Sequence, residues 1–451
     1  MSIEELLRKE EGKTLEFKKE LSGSDAVVRT VVAFANTSGG TLVIGVEDKT
    51  KKVKGVLDPL QAEERLVNMV VDNIHPHLSP DIEILPWRKT QVMAVHVYPS
   101  SAKPHYFKRL GFQKGVFVRI GSSNRVADRC MTEEMKRQSL NQFYDEQPFP
   151  ELNSEAIDFR AASELFRSKK TLKKSDFETL QIVVRHQNRE VPTVGGMLLF
   201  GKERGRYFPD AWIHAGLFGG KDRTQILDSA RITGPLPSAV EEAILFVTRH
   251  LSHSLTVGNV KHRRVLALPP IAVREAIVNA VVHADYSQRG SPIRISLFKD
   301  RLEIENPGLL PSGLTLDDIQ HGVSKIRNRV LARVFNELGY IEQWGSGIQR
   351  MFGACVEAGL KRPLLEEIGP HFRATLFTGK ERNPTLDPVD RKIIDLLGAR
   401  ALSTQEIADR IERSVRAART RLLSLIQRGL VIEIGSGPND PQKKYHLPNE
   451  A

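Results

Sequence analysis

Residues 25–48, DAVVRTVVAFANTSGGTLVIGVED, constrain the fold of this chain most strongly. Apolar residues recur at helical spacing over residues 25–36, and TSGG supplies the glycines at which such a helix ends. LVIGV is a short apolar run of the kind found in buried strands, and EDKTKK reads as the turn after it. A helix that leads through a glycine stop into a buried strand predicts a mixed α/β domain.

Segments typical of helices and strands continue to alternate along the rest of the chain. With 451 residues the chain is too long for one ordinary core, so we predict an α/β multidomain fold. Turn-forming residues in NQFYDEQPFPELNS (141–154) and ERNPTLDP (381–388) mark the expected linkers. The predicted division is 1–140, then 141–189 as a helical linker region, then 190–380 and 385–451.

Charge and composition limit the class of protein. The net charge of +11 and the pI near 9.5 favour a polyanionic partner such as nucleic acid. The sequence has no apolar run long enough to cross a bilayer and no signal-peptide core at its start, so we expect no membrane partner. The 2 cysteines, Cys130 and Cys355, lack metal-ligand spacing, which favours a reducing cytoplasm.

Two carboxylates, Glu11 and Glu16, stand five positions apart in EGKTLEFKKEL (11–21). In a regular strand this offset places them on opposite faces. Gly12 permits a bend that returns Glu11 to the side of Glu16. From these residues alone, a solvated and charged edge strand is the simpler interpretation.

This stretch, together with AFANTSGGTLVIGVEDKTKKVKGV, KPHYFK and VFVRIGSSNRVA, resembles the AlbA-type Schlafen domain over about the first 130 residues. The resemblance implies a mixed α/β domain with the acidic metal site of an endonuclease. It assigns that site to Glu11, Glu16 and Asp48, the last being next to Glu47. Carboxylate oxygens suit Mg²⁺ or Mn²⁺, and Lys18 is expected to hold a phosphate or to stabilise developing charge.

Binding without cleavage is the alternative for this domain, since many members of the family are described as DNA-binding regulators. Surface pairing of Glu16 with Lys18 or Lys13, and an ordinary turn at Asp48, would then account for the acidic residues. In either case we expect a basic track for nucleic acid. The residues expected along that track are Lys103, His105, Lys108, Arg109, Arg119 and Arg125.

A second group of polar residues lies on the helix predicted from Pro269, PPIAVREAIVNAVVHADYS. Glu275 and Asn279 are four positions apart and share a face with His283. Because their neighbours are apolar, these polar groups need partners. A paired polar stripe on an ordinary helix is one interpretation, and a ligand site is the other.

REAIVNAVVHADYS, IENPGLLPSGL, SKIRNRVLARVF and IEQWGSGIQRM occur in that order and resemble the divergent GHKL-type ATP-binding domain of RecG-like and AlbA-domain regulators, over residues 190–378. The resemblance implies an α/β sandwich that binds ATP and Mg²⁺. It assigns the Mg²⁺ ligand to Asn279 and the general base to Glu275. The other residues expected at the nucleotide are His283, Asp285, Asn306, Gly308, Lys325, Arg327, Asn328, Gly345, Ser346 and Gly347.

Within this resemblance, the glycines of WGSG are expected to let the backbone approach phosphates at a helix N-terminus, and SKIRN is the expected lid. Glu305–Gly308 stands where GHKL proteins carry an aspartate-rich D-x-G segment that binds adenine. Base specificity, and hydrolysis as opposed to binding, therefore stay open. GGKD (219–222) lacks the Ser or Thr of a G-x-x-x-x-G-K-[ST] loop, so a helicase motor is not expected.

The last part of the chain has the element order of a winged helix. VDRKIIDLLG, STQEIADRI and VRAARTRLLSLIQRG read as three helices, followed by GLVIEIG and KKYHL as strands. Arg416, Arg419 and Arg421 on the third helix, with Arg413 just before it, are expected to contact DNA or RNA. Oligomerisation or docking within the chain is the alternative.

These inferences together predict a cytoplasmic, homo-oligomeric, metal-dependent endonuclease that acts on tRNA, other RNA or DNA and is regulated by ATP binding. The alternative is an ATP-responsive, DNA-binding transcriptional regulator that cleaves nothing. A third interpretation is an ATPase whose end modules serve assembly. Phage defence is a biological role compatible with the first of these.

Overall fold

The computed structural model describes residues 2–21, 24–255, 263–341, 345–379, 387–427, 430–434 and 443–447. The chain forms two compact units, one of Met1–Ala127 with Arg382–Ala451 and one of Asp128–Glu381. The first unit is therefore built from both ends of the chain. Residues 342–344 of IEQWGSG, 381–386 of the expected second linker, and 435–442 between the last two expected strands lie outside the described residues.

A four-stranded sheet forms the centre of the N-terminal part of the first unit. Its strand order is Leu15–Lys18, Gly40–Ile44, Thr90–Val97 and Asp81–Trp87. The first two strands are parallel and the other neighbours are antiparallel. Leu42 and Ile44 face one apolar cluster and Val43 faces another, so this central strand is buried on both faces, which confirms the expectation for LVIGV.

Helix Ser24–Asn36 packs on one face of this sheet and helix Ile3–Arg8 on the other. TSGG ends the longer helix as predicted, and Gly39 takes a positive φ of 75° on the way into the strand. The remaining elements of this part are Pro59–Asn73, Ile74–His75, Tyr106–Phe107, the 3₁₀ turn Lys108–Leu110, Gly111–Gly115, Phe117–Ile120 and Ser123–Val126.

The C-terminal part of the first unit contains three helices and a three-stranded sheet. Its elements are Pro388–Ala399, Leu402–Ser403, Thr404–Ile411, Val415–Gln427, Ile432–Ile434 and Lys444–His446, with Lys444–His446 as the central strand. Ile393, Leu422 and Tyr445 belong to its separate apolar core. This is the element order expected from the sequence.

A six-stranded sheet organises the second unit. Its strand order is Ile226–Ile232, Ile213–Phe218, Ile293–Leu297, Arg301–Pro307, His371–Phe377 and Leu364–Ile368. Ile213–Phe218 and Ile293–Leu297 are parallel, whereas the other neighbours are antiparallel. Ile293–Leu297 and Arg301–Pro307, which follow each other in sequence, therefore form a hairpin.

Helices Pro270–His283, Leu236–Leu251 and Val194–Phe200 pack in the core beside one face of this sheet. Pro270 occupies the first turn of its helix, where a missing N–H costs no hydrogen bond. Helix Leu236–Leu251 ends where Ser252–Leu255 begins to pair as a strand with Arg263–Leu266.

The segment expected to be a linker contributes to the same core through buried Phe166, Phe177 and Ile182. No described helix has the length and apolar character needed to span a membrane. The remaining elements of the second unit are Arg129–Ser139, the 3₁₀ turn Ser154–Ala156, Phe159–Phe166, Lys174–Thr179, Val183–His186, Arg189–Pro192, Arg204–Tyr207, Leu316–Gln320, Arg329–Glu337 and Gly347–Glu357.

Candidate functional site

A cavity of about 690 Å³ opens in the second unit between helices Pro270–His283 and Gly347–Glu357 and the end of strand Arg301–Pro307. Apolar side chains such as Ile304 and Met351 line most of it, and a smaller number of polar groups face it. Concave sites of this size and character commonly bind small molecules.

Glu275, Asn279, Gly347 and Arg350 meet at the wall of this cavity. Glu275 is only 5% exposed, and its Oε1 accepts a hydrogen bond of 2.7 Å from the Arg350 guanidinium. A Cβ added at Gly347 would lie 2.5 Å from Glu275 Oε2 and 3.6 Å from Asn279 Nδ2. Because Gly347 has no side chain, the Glu275 carboxylate can lie against the start of helix Gly347–Glu357.

A guanidinium and a helix N-terminus both stabilise the negative charge of the Glu275 carboxylate. Glu275 and Asn279 present hard oxygen donors one helical turn apart, which is the donor type that Mg²⁺ prefers. The same helix N-terminus and Arg350 are suited to an anionic group such as phosphate. This wall can therefore serve a bound anion and its counter-cation together.

Most of the residues expected at the nucleotide line this one cavity. They are Glu275, Asn279, His283, Asn306, Gly308, Lys325, Arg327, Gly345 and Gly347. Since they come from four separate sequence motifs, their convergence is a property of the fold. Asp285, Asn328 and Ser346 do not line the cavity.

Arg327 is held by the backbone of the second unit. Its guanidinium donates to the carbonyl oxygens of His283 at 3.0 Å and Leu309 at 2.7 Å, and it lies 3.3 Å from a Glu134 carboxylate oxygen. Gly308 has φ of 103°, and a Cβ there would lie 2.5 Å from the guanidinium. Arg327 thus ties three segments together, which accounts for it without a phosphate contact.

Asn328 and Asp285 also have structural partners. The Asn328 amide donates to the carbonyl oxygens of Val282 and Ala284, at 2.8 Å each, and its side chain is almost completely buried. The Asp285 carboxylate accepts a 2.6 Å hydrogen bond from the Ser287 hydroxyl. These contacts fix the chain after helix Pro270–His283, whereas the sequence resemblance places both residues at the nucleotide.

His283 and Lys325 differ in how far they are available to a ligand. Burial and, in smaller part, the charge of Arg327 lower the pKa of His283 to about 4, so its ring is neutral at pH 7. Lys325 is exposed and its Nζ donates to the carbonyl oxygen of Ser312 at 2.9 Å. Lys325 is therefore anchored to a surface loop but keeps two further donors.

In the first unit, the bend around Gly12 returns Glu11 towards Glu16. Glu11 Oε1 accepts the backbone N–H of Phe17 at 2.6 Å. Burial raises the pKa of the Glu11 carboxyl, and a hydrogen bond with the Asp48 carboxyl and the charges of Glu16 and Asp48 raise it further, while the Phe17 N–H lowers it. The three acidic residues are thus close enough to influence one another.

Cations occupy both oxygens of the Glu16 carboxylate. Oε1 pairs with Lys18, and Oε2 accepts a 2.5 Å hydrogen bond from Arg119, whose side chain is 1% exposed. Arg119 also donates from Nε to the carbonyl oxygen of Gly12 at 3.0 Å. Arg119 therefore organises the acidic loop from within and is out of reach of the nucleic acid that the sequence assigned to it.

No set of three His, Cys, Asp or Glu side chains in the described parts of the chain is arranged to hold a metal ion. Glu11 and Asp48 supply two neighbouring carboxyls, but Glu16 is committed to its two cations. The donors as arranged therefore do not fit the three-carboxylate metal site implied by the resemblance. The neighbouring Glu47 points elsewhere, since it accepts from the Thr50 hydroxyl at 3.0 Å and lies 3.4 Å from Lys54.

The residues expected along a nucleic-acid track in the first unit divide into two groups. His105 is fully buried, with its ring bonded to the carbonyl oxygen of Pro76 and the Ser100 hydroxyl, and Lys103 is also buried. Neither side chain can therefore meet a ligand at the surface. Lys108, Arg109 and Arg125 are exposed.

The arginines of the C-terminal part also divide. Arg413, Arg416 and Arg419 are exposed on or just before helix Val415–Gln427. Arg421 pairs with Asp387 and, at 2.7 Å, with Asp390 at the start of helix Pro388–Ala399. Arg421 therefore joins two helices, and three of the four expected arginines stay available.

Sequence reasoning missed Arg350 and Asn36. Asn36, in FANTSGG, donates to the carbonyl oxygens of His105 and Phe117 and accepts from the His105 N–H. This buried side chain therefore joins the backbones of two other segments. Arg350 lies one turn after Gly347 on the helix. That spacing was the available signal, because residues three apart share a helix face.

Comparison with protein families finds two matches. Residues 11–128 match the Schlafen, AlbA_2 family, and residues 290–376 match HATPase_c_4, described as "Putative ATP-dependent DNA helicase recG C-terminal". No curated protein matches the chain.

Two solved structures are similar to parts or all of the chain. The DIP2311 protein from Corynebacterium diphtheriae is 18% identical, with a TM-score of 0.48, over 99% of this chain and 98% of its own. The N-terminal domain of a RecG-related protein from Nitrosomonas europaea is 26% identical, with a TM-score of 0.23, over 29% of this chain and 96% of its own. On the family matches, the chain carries a Schlafen AlbA_2 domain near its N-terminus and a RecG-like HATPase_c_4 domain in its second unit.

Proposed function

We propose that this chain is an ATP-binding protein that binds nucleic acid and whose hold on nucleic acid changes with ATP. The observation that carries the proposal is the meeting of Glu275, Asn279, Gly347 and Arg350 in one cavity of about 690 Å³. The HATPase_c_4 match supports ATP as the ligand, and the Schlafen match supports nucleic acid as the partner.

The phosphates of ATP would meet the N-terminus of helix Gly347–Glu357 and the Arg350 guanidinium. The base would occupy the apolar part of the cavity near Ile304 and Met351. Asn306 also lines the cavity and offers both a donor and an acceptor, so it would take the place of the aspartate that binds adenine in GHKL proteins.

The donor set in this cavity suits Mg²⁺, because that ion usually takes one or two protein oxygens and completes its shell with phosphates and water. Asn279 and Glu275 would supply those oxygens, and bound Mg²⁺ would neutralise phosphate charge. Glu275 would also orient a water molecule once Arg350 turns from its carboxylate to a phosphate. Binding alone, without hydrolysis, uses the same residues apart from that last step.

Binding of ATP is tested by calorimetric titration of the full chain with ATP, ADP and adenosine in the presence of Mg²⁺. We expect ATP to bind more tightly than adenosine, and Asn279→Ala to remove most of the Mg²⁺-dependent part. Glu275→Gln is expected to retain binding and to abolish any release of phosphate. Equal affinity for ATP and adenosine would contradict a phosphate site at this helix.

For nucleic acid, exposed Lys108, Arg109 and Arg125 are the contacts proposed in the first unit. The C-terminal part is proposed to act as a winged helix with Arg416 and Arg419 on its third helix. Fluorescence anisotropy with labelled tRNA, single-stranded DNA and duplex DNA, each with and without ATP, tests the proposal. An affinity that is the same with and without ATP would refute regulation.

A metal-dependent endonuclease is the second candidate, favoured by the contact between the Glu11 and Asp48 carboxyls. The ion pairs of Glu16 count against it as arranged. Cleavage of the same nucleic acids in Mn²⁺ or Mg²⁺ is compared between wild type and a Glu11→Ala, Glu16→Ala, Asp48→Ala triple variant. Intact substrates with retained binding would leave a regulator that binds without cutting.

A homo-oligomer in the cytoplasm completes the proposal. Light scattering at several concentrations measures the mass of the particle against the 50.6 kDa of one chain. A mass of one chain at every concentration would refute an oligomer.

A further inference from the structure

One row of polar and charged side chains crosses the whole six-stranded sheet of the second unit. Each member is the direct cross-strand partner of the next. In order from one edge to the other, the row is Arg231, His214, Arg294, Glu305, Arg373 and Glu366. Because direct partners point to the same face, these six side chains share one side of the sheet.

The neighbouring residues on the same strands face the opposite way, into the apolar core. They are Ile213, Ala215, Ile232, Ile293, Ile295, Ile304, Leu365 and Ala374. The charged row therefore marks the side of the sheet that faces away from its packed helices. Arg231 and His214 are exposed there, and Arg294 is partly exposed.

Charge is divided unevenly along this row. Glu305 accepts from Arg223 at 2.6 Å and from Arg373 at 2.7 Å, so the carboxylate side of the row is neutralised internally. Arg231 and Arg294 form no ion pair with a carboxylate within the described ranges. In the half of the row formed by Arg231, His214 and Arg294, the two guanidinium groups thus keep their positive charge.

An aromatic group stands beside this basic half. The Arg231 guanidinium lies 4.5 Å from the centre of the Trp212 ring, and the His214 ring lies 5.3 Å from Trp212. Neighbouring strands are about 4.8 Å apart, so Arg231 and Arg294, two strands apart, are separated by about 10 Å across the face. Stacking rings and cations spaced along a sheet face are the elements with which proteins hold single-stranded nucleic acid.

We propose that Trp212, His214, Arg231 and Arg294 form a binding surface for single-stranded nucleic acid on the ATP-binding unit. Arg231 and Arg294 would neutralise phosphates, while Trp212 and His214 would stack on a base. Charge complementarity favours this partner, because Arg231 and Arg294 form no ion pair within the described ranges and the nearest carboxylate of the row, Glu305, is paired with Arg223 and Arg373. The inference rests on the proposed function in one respect, that the chain binds nucleic acid.

The test measures affinity of the full chain for a labelled single-stranded oligonucleotide over a series of salt concentrations. The Arg231→Glu, Arg294→Glu double variant removes the two proposed phosphate contacts. The control is the Arg160→Glu, Arg185→Glu double variant, which makes the same change in net charge, together with Arg185→Glu alone. The Arg185 and Arg160 side chains lie in the same unit and are 84% and 90% exposed. Trp212→Phe tests stacking with a ring retained.

We expect the double variant to bind at least about tenfold more weakly and to flatten the salt dependence by about 1.4 in slope, the value for two phosphates of a single strand. The control pair should stay within about twofold. Equal losses in variant and control, or an unchanged slope, would overturn the surface. Tighter binding of a polyglutamate peptide than of the oligonucleotide, with the same arginine dependence, would also overturn it in favour of an acidic protein segment.

The outcomes separate the inference from the proposed function. If wild type binds no nucleic acid of any kind, the proposed function and this surface both fail. If wild type binds and the double variant binds equally well, only this surface fails. Thermal unfolding of the same double variant, compared with wild type, checks that the unit is folded without requiring any ligand.

Discussion

Replacing Arg350 by alanine should weaken ATP binding and destabilise the second unit together. The substitution leaves the Glu275 carboxylate, whose side chain is 6% exposed, without its guanidinium partner at 2.7 Å. Removing one partner of a fully buried ion pair costs about 3–5 kcal/mol. The Arg350 side chain is 30% exposed, so solvent screens part of that cost, and we expect a loss of about 2 kcal/mol in unfolding free energy.

For ATP, the same substitution would remove the proposed charge-assisted hydrogen bond to phosphate, worth about 1.5–3 kcal/mol, or about 10–150-fold in affinity. It also leaves an unneutralised carboxylate facing the phosphates. Glu275→Gln removes that repulsion while keeping the shape of the side chain. The double variant therefore distinguishes a direct phosphate contact from neutralisation of Glu275.

The two effects are separated by calorimetric titration with ATP and with adenosine. The titration measures the affinity of wild type, of both single variants and of the double variant. A direct contact predicts that Arg350→Ala weakens ATP in both backgrounds and leaves adenosine unchanged. Neutralisation alone predicts a loss only when Glu275 is present. Unchanged ATP affinity and unchanged urea midpoints in Arg350→Ala would refute both.

Three further changes test separate features. Burial, the largest cause, raises the pKa of Glu11, so the folded state favours the protonated carboxyl, and this contribution to stability is lost as pH rises through the folded pKa. The unfolding free energy of Glu11→Gln should therefore increase relative to that of wild type in urea denaturation from pH 4 to pH 8. A difference that stays constant over this range would contradict the prediction. The pKa of His283 is lowered to about 4, so the stability that its neutral ring contributes is fully present above the ordinary pKa near 6.5 and is lost as pH falls towards 4. His283→Gln should therefore reduce the loss of unfolding free energy between pH 6.5 and pH 4, measured by thermal unfolding, by at most about 3 kcal/mol. The same loss in variant and wild type would contradict the prediction. Gly308→Ala should lower the unfolding free energy by about 2–4 kcal/mol, because φ is 103° and the new Cβ would clash with Arg327. Gly290→Ala is the control, since φ is 81° but the Cβ would meet open space, and it should cost about 1–2 kcal/mol. Equal losses in the two variants would show that the clash with Arg327 contributes nothing.

Local patterns predicted the elements that local physics decides. Leu42, Val43 and Ile44 of the apolar run LVIGV lie in a strand that is buried on both faces, and the helix after Pro269 starts where proline allows it. The spacing of Glu275 and Asn279 placed both on one face, and that face lines the cavity. Each of these follows from periodicity or backbone geometry within a few residues.

Long-range contacts decided what the sequence did not predict. Arg350 reaches Glu275 across 75 positions, and Arg119 reaches Glu16 across 103. The sequence shows that each side chain is charged but not which surface it meets, so Arg119 was expected at nucleic acid and lies inside. His105 was misplaced for the same reason, since its backbone N–H bonds to Asn36, 69 positions away, and its ring bonds to the carbonyl oxygen of Pro76. The four-part division of the chain stays a prediction.

The first unit combines residues 1–127 with residues 382–451, so the order of synthesis affects when it can be completed. Residues 1–127 leave the ribosome before the whole of residues 128–381, and only then does the segment from residue 382 onward appear. At about 5–20 residues per second, the intervening segment imposes a wait of roughly 10–50 s before the first unit can be completed. The unit that contains the cavity of about 690 Å³ is contiguous in sequence and can fold within that interval. Residues 1–127 therefore wait through that interval before the segment from residue 382 onward can join them in the first unit.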